Sequence, residues 1–317
     1  MSNIDLGEDS RETVMNDKKV KILMSAYNGK KYIEQQMESI FNQTYKNIEI
    51  LIRDDGSTDG TIEILKGYEK NGKIELVTGE NLGIWKSVYW LAANTGDADY
   101  YSFADQDDVW MSDKIERAVN ALGKMEQGKP ALYICNFDFC DEDMNFSSHR
   151  NRLGVELTFV NSLVNFIAYG FTCVINEEMR QLFLQMPTDV QFYHDYLFLI
   201  LATAFGNVVY EDDYIGAKYR RHGKNLSISN ENALTLLMWR IKNFLLNDEF
   251  KYKEKWSMFS EIYAEKLNDR NSEILKWLTK PGYSVKTAMR RTFYTKRYRE
   301  ALLDDLALRA MFLVGKL

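Results

Sequence analysis

The chain is short of the features that tie a protein to an oxidising exterior, to thiolate metal sites or to a membrane interior. Only three cysteines occur among 317 residues. Cys135, Cys140 and Cys173 lack metal-ligand spacing, and bridging two would strand the third. Reduced thiols in a cytoplasmic protein are therefore expected. Residues 1–19 are polar, read as a disordered start, and contain no apolar stretch of signal-peptide type, so secretion is not expected. No run reaches the ~20 apolar residues of a spanning helix. A net charge of −6 does not suit a general nucleic-acid binder, although it allows a local basic patch. No G-x-G-x-x-G follows the first apolar run, which argues against a dehydrogenase. Ser25–Lys30 is not the Gly-rich, basic loop of a nucleotidyltransferase. Internal repeats and low-complexity linkers are missing too.

What is present is alternation. The composition, 45% hydrophobic and 27% charged, allows an ample core in one large domain or two smaller ones. Strand-like runs at Val20–Ala26, Ile48–Ile52, Ile74–Thr78, Tyr100–Ala104 and Ala131–Phe139 are separated by helical periodicity. The helices fall at Ile33–Phe41, Thr61–Tyr68 (with Asp59 as cap), Gly83–Ala93 and Ser112–Met125. Such alternation predicts βαβ units and a mainly parallel sheet with helices on both faces. The middle of the chain is less regular. It reads as a loop or short helix over Phe159–Phe171, a strand at Thr172–Ile175 and a helix at Tyr196–Phe205. Short edge strands follow at Val208–Tyr210 and Ala217–Arg220.

Two aspartate clusters follow strand-like runs: Asp54-Asp55-Gly56-Ser57-Thr58-Asp59 and Asp105-Gln106-Asp107-Asp108. Carboxylates at strand ends of an open α/β sheet project into the crevice where such sheets bind ligands. An Asp-x-Asp pair suits a hard divalent cation that shares its oxygen ligands with substrate phosphates. Tyr27-Asn28-Gly29, after the first strand, reads either as an ordinary turn or as backbone and ring for a flat base.

With these residues together, the chain closely resembles glycosyltransferase family 2. The resemblance extends through His194-Asp195-Tyr196 and Tyr219-Arg220-Arg221-His222-Gly223-Lys224-Asn225, spanning residues 20–226. It implies a GT-A fold, a catalytic domain over 20–228, and inversion at the anomeric carbon of a nucleotide sugar. The combination of Asp-Gln-Asp-Asp-x-Trp, His-Asp-Tyr and Tyr-Arg-x-His is similar to a bacterial rhamnosyltransferase branch that builds surface polysaccharides from dTDP-rhamnose. UDP-glucose, UDP-galactose, UDP-galactofuranose and UDP-N-acetylhexosamine are alternative donors, and an inactive sugar-nucleotide-binding relative is the non-enzyme alternative.

The resemblance also implies roles. Tyr27 and Asp55 hold the base, Asp105 sits near the ribose, and Asp107 binds Mn²⁺ or Mg²⁺ on the diphosphate, with His222 completing the metal shell. Ala26, Asn28, Asp54, Gln106 and Arg221 complete the nucleotide-sugar set. Lys86 reaches a phosphate or is merely solvated. Arg220 is the other candidate clamp for diphosphate oxygens. Asp108 caps the next helix or supports Asp107. Asp195 is the general base for the acceptor hydroxyl; the bland reading of this aspartate is a helix cap. His194, where family members commonly carry Glu, orients the acceptor or tunes Asp195. Trp110 is a platform for a sugar ring or a core residue, and Gly170-Phe171-Thr172 lies in the acceptor region.

From residue 229 to 317 the pattern is helical only. A stripe of Leu234, Leu237, Met238, Ile241, Phe244 and Leu245 comes first. Basic residues from Lys276 to Arg299 are then interleaved with Trp277, Tyr283, Phe293, Tyr294 and Tyr298. This region either docks on an anionic membrane face or packs on the catalytic domain with its charges solvated. The expected partners are a nucleotide-sugar donor, a lipid-linked glycan or polysaccharide acceptor and the inner membrane face, without nucleic acid; a homo-oligomer is left open.

Overall fold

The structure is a computed structural model that describes residues 17–189, 192–223, 252–280 and 282–315. The chain forms two compact units. The first draws on the chain up to Cys140, on Phe146–Arg152 and on Phe166–Arg220; the second comprises Asp141–Asn145, Leu153–Asn165 and the chain from Arg221 onward.

The first unit is α/β, with the GT-A-type architecture. Strands β1 (Val20–Ala26), β2 (Ile48–Asp54), β3 (Glu75–Thr78) and β4 (Tyr100–Ala104) alternate with helices α1 (Ile33–Phe41), α2 (Thr61–Lys70) and α3 (Gly83–Asn94). They pair in parallel in the order β3-β2-β1-β4, with Val20 opposite both Ile48 and Tyr100. β1 and β4 read as nearly continuous apolar runs because both faces of a parallel sheet are covered.

Beyond β4 the sheet becomes mixed. The expected strand near residue 172 is β8 (Cys173–Asn176). It lies between β4 and β6 (Ala131–Cys140), antiparallel to both, with Ile175 opposite Tyr101 and Leu132. The two short edge strands are one strand, β9 (Asn207–Arg220), parallel to β6. The register jumps from Cys135↔Glu211 to Asn136↔Ile215, and Asn136 Nδ2 donates to the Asp212 carbonyl at 3.0 Å across that bulge. Two further short strands were not foreseen: β5 (Val109–Trp110), antiparallel to β9, and β7 (Phe146–His149), which pairs with β6. Helices α4 (Lys114–Leu122), α6 (Glu177–Phe183) and α7 (His194–Phe205) complete this unit. Among these, α7 buries nine of its residues on every side and so shows no amphipathic stripe. Truncating one of its leucines to alanine costs about 2–5 kcal/mol.

The second unit contains α5 (Phe159–Ser162), α8 (Tyr252–Tyr263), α9 (Asp269–Thr279), α10 (Val285–Thr292) and α11 (Leu302–Leu313). Trp256 is buried and donates from Nε1 to the Leu163 carbonyl at 2.9 Å, while Phe259 packs on Phe159. Arg309 ties α11 to the turn after α10, donating to the carbonyls of Tyr294 and Lys296 and pairing with buried Asp305 at 2.7 Å. No helix among the described residues is long and apolar enough to cross a membrane. The stripe from Leu234 to Leu245 lies outside the described residues, as do Lys224 and Asn225.

Candidate active site

The loops after β1 and β2 are laced together. Asn28 N donates to Ser57 Oγ (2.8 Å), and Asn28 Oδ1 accepts from Thr58 N (2.9 Å). Gly29 N donates to Thr61 Oγ1 at 2.9 Å and Lys30 N to Asp59 at 3.0 Å. Asp59 also accepts from Thr61 N at 3.0 Å, so it stands at the start of α2, although the cap position itself is Gly60. The loop after β4 joins through Gln106, which mimics a strand: its Oε1 accepts from Tyr27 N at 2.9 Å and its Nε2 donates to Tyr27 O at 3.0 Å. A Cβ on Gly29 would collide with this doubly held amide. Ala26 is buried, and Tyr27 is left 48% exposed.

In the first cluster the carboxylates are occupied within the protein. Asp54 is fully buried; its Oδ1 accepts from Gly56 N (3.0 Å) and Ser57 N (2.8 Å), and its Oδ2 from Ser57 Oγ (2.6 Å). The side chain thus folds its own turn rather than facing the crevice. Asp55 accepts from Ser87 Oγ with both oxygens (2.5 and 2.6 Å) and from Leu82 N (3.2 Å), and it pairs with Arg53. Arg53 is buried too, which pushes its guanidinium down from the ordinary value; it bonds Ser87 Oγ and the Glu80 carbonyl at 2.9 Å each. Sequence reasoning missed Arg53 and Ser87, because neither belongs to a motif and they meet only when α3 packs on β2.

The second cluster is different. Burial, then the charge of Asp107, then that of Asp195, push the Asp105 carboxyl up to about 7. Asp108 is fully buried and shifted well upward by burial and by Asp107 and Asp105. One of its oxygens accepts from Arg220 N at 3.1 Å, and the other has no hydrogen-bond partner among the described residues. It does not cap the next helix, since α4 starts after Asp113. Arg220 is buried at the end of β9, donates to the Asp107 carbonyl at 2.8 Å, bonds Gln35, and stacks over Tyr32 at 4.7 Å. Those bonds hold the aspartate loop in place, so the guanidinium is built into the wall and not extended as a clamp.

Asp195 lies in the first turn of α7, where the cap is Tyr193. Its carboxylate accepts from Tyr196 N at 2.7 Å and from Gly170 N, while burial raises its pKa. The tertiary fold therefore brings Asp195 close enough for its charge to be felt at Asp105. His194 is turned inward between Phe103 and Phe198, and burial lowers its pKa. Its ring lies so close to Gly170 that a Cβ there would strike it. Trp110 is 3% exposed and belongs to the core cluster. It has no open face for a sugar ring, so its core reading holds. Fully buried Lys114, which the sequence did not single out, places its ammonium 3.6 Å from the Trp110 ring centre and 3.4 Å from Ser102 Oγ; burial pulls its pKa down to about 8. Lys86 is exposed on α3. Arg221 and His222 follow β9 directly and belong to the second unit.

Residues 21–199 match Glycosyl transferase family 2. The chain belongs to this family. A relative along most of the family member's length is the uncharacterized glycosyltransferase RP339 of Rickettsia prowazekii, 27% identical over 296 residues, which span 89% of this chain and 83% of that protein. The dTDP-rhamnosyl transferase RfbG of Shigella flexneri is 37% identical over 105 residues, 31% of this chain and 36% of that one. Among solved structures, S. aureus TarS 1-349 in complex with UDP-GlcNAc superposes with a TM-score of 0.56 at 14% identity, covering 94% of this chain and 91% of that one, a likeness of fold.

Whether this family member's residues suit a divalent cation can be judged from its donors. Among the described residues, no three His, Cys, Asp or Glu side chains form a group that would hold an ion alone. Asp105 and Asp107 are hard oxygen donors, and burial followed by the charge of Asp107 raises the Asp105 pKa. That donor set fits Mg²⁺ or Mn²⁺ held by one or two carboxylates plus substrate phosphates, rather than by an all-protein cage.

Proposed function

We propose that this glycosyltransferase is an inverting enzyme that moves L-rhamnose from dTDP-rhamnose to a hydroxyl of a lipid-linked or polysaccharide acceptor, at the inner face of the membrane, in surface-glycan synthesis. The observation that carries the catalytic part is that the Asp105 pKa, already raised by burial, is pushed further up by the charges of Asp107 and of Asp195, a carboxylate from a distant stretch of chain. The rhamnose part is supported by the Asp-Gln-Asp-Asp-x-Trp, His-Asp-Tyr and Tyr-Arg-x-His combination and by the partial match to RfbG.

In this reading the acceptor oxygen attacks the anomeric carbon as the bond from that carbon to the diphosphate oxygen breaks. Asp195 takes the acceptor proton; its raised pKa makes it a stronger base than an ordinary carboxylate. Gly170 N and Tyr196 N fix the orientation of that carboxylate. His194, pressed against Phe103, positions the start of α7. Tyr27 offers its ring to the base, beside Asp55 and a loop that Asn28 and Gln106 hold rigid. Asp105 faces the ribose, and Asp105 with Asp107 would hold the divalent cation. When bound, that cation supplies Lewis-acid stabilisation of charge on the leaving diphosphate. Lys86, Arg221 and His222 keep their proposed donor-side and metal-side roles on the motif alone.

A panel of nucleotide sugars tests this reading by thermal shift with Mn²⁺ present, followed by transfer assays. dTDP-rhamnose should raise Tm the most and be consumed. A larger shift with a UDP-sugar would overturn the rhamnose donor alone, turnover of no donor would make the chain an inactive relative, and full activity in EDTA would remove the metal role of Asp107.

A further inference from the structure

We infer that α10 and α11 form a docking surface for an anionic lipid bilayer; this deepens the proposed membrane-face location and rests on that reading. The two helices pack on each other through buried Ala288, Leu308 and Phe312. Their other faces carry large apolar side chains in the open. On α10, Val285 and Met289 are one turn apart, and Phe293 continues the same line a turn further on, 67% exposed. On α11, Leu302, Leu303 and Leu306 stand out from the first turns, Leu303 at 63% exposure. Folded soluble domains rarely leave such side chains clustered without a use.

The flanking charge selects the occupant. Between residues 276 and 315 there are nine Lys and Arg against three Asp and Glu, a local balance of +6 in a chain of net charge −6; Arg291 is buried, Arg290, Lys296 and Arg309 pair with Glu273, Glu156 and Asp305, and Lys286 stands exposed on α10. Lys286 and Arg290 sit beside the Val285–Met289 line. The α10 line, apolar at helical spacing and flanked by cations, suits the interface of a bilayer carrying anionic headgroups, with the α11 leucines adding apolar area. A second copy of the chain would bring the same cations face to face, which opposes self-docking.

The full chain should co-sediment with vesicles of equal parts phosphatidylglycerol and phosphatidylcholine, and far less with phosphatidylcholine alone. Phe293→Glu combined with Leu303→Glu should lower the partition coefficient at least tenfold. Lys286→Gln should lower it about fivefold, the fold-change of ~1 kcal/mol per basic residue near an anionic surface. All three substituted positions are exposed, and hydrolysis of the soluble donor should be unchanged in both variants. Absence of binding, equal binding to neutral vesicles, or unchanged binding by the double variant would overturn the inference. So would a concentration-dependent dimer, formed without vesicles and broken by Phe293→Glu. Loss of donor hydrolysis in the wild-type chain would count against the proposed activity and leave the vesicle result standing.

Discussion

The two aspartate clusters sit at matching places, the ends of β2 and β4 on either side of β1, yet the protein treats them differently. Asp54 and Asp55 are surrounded by backbone N–H groups, Ser57, Ser87 and Arg53, so their charges are compensated inside the fold. Asp105 feels the charges of Asp107 and Asp195, and Asp108 those of Asp107 and Asp105 with Arg220 beside it. A carboxylate whose partners are internal fixes a loop, whereas carboxylates that crowd each other resist being ionised together. Position at a strand end is common to both clusters; the difference lies in which neighbours packing delivers.

That contrast can be broken by substitution, beginning with the largest effect. Asp195→Asn should lower the transfer rate by about 10²–10⁴ while donor affinity, read by thermal shift, stays near wild type; a rate within threefold of wild type would remove Asp195 as base. Asp55→Ala should cost about 3–5 kcal/mol in denaturant unfolding, because it leaves the Arg53 guanidinium buried without its carboxylate. If stability is unchanged, the first cluster is not structural in the sense argued.

Asp105→Asn should act in the opposite direction on stability. The Asp105 pKa is raised from an ordinary 3.8 to about 7, so the folded state holds its proton longer than the unfolded chain. The metal-free protein should therefore lose stability as pH rises from about 4 to 7, by roughly 2–4 kcal/mol from this group. The Asn variant should flatten that slope, and added Mn²⁺ should flatten it in the wild type; urea midpoints across this range decide it. The smallest effect is expected at Gln106→Ala, which deletes the paired bonds to Tyr27 for ~1 kcal/mol and lowers Tm by about 2–4 °C.

Much of the first unit was legible in the chain. Strand runs such as Val20–Ala26 and Tyr100–Ala104 coincide with β1 and β4, since a strand covered on both faces has to be apolar throughout. Less legible was anything set by pairing at a distance. The two-residue β5 is too short to show a period and exists because β9 lies beside it. The bulge that joins the two segments of β9 reads in sequence as a break. Trp110 read as a sugar platform or a core residue and Arg220 as a diphosphate clamp or a surface charge, and burial put both inside.

By itself, the sequence determined the alternating βαβ order, the strand-end position of both aspartate clusters and the family, because apolar periodicity and short motifs are local properties. Tertiary structure alone decided that β8 runs antiparallel to β4 and that Asp195 reaches Asp105. It also decided that Arg53 and Ser87 satisfy Asp55 while one oxygen of Asp108 has no hydrogen-bond partner among the described residues. The reason is physical: the ionisation of a carboxylate depends on the water it loses and the charges it meets, and both are fixed only when distant segments pack.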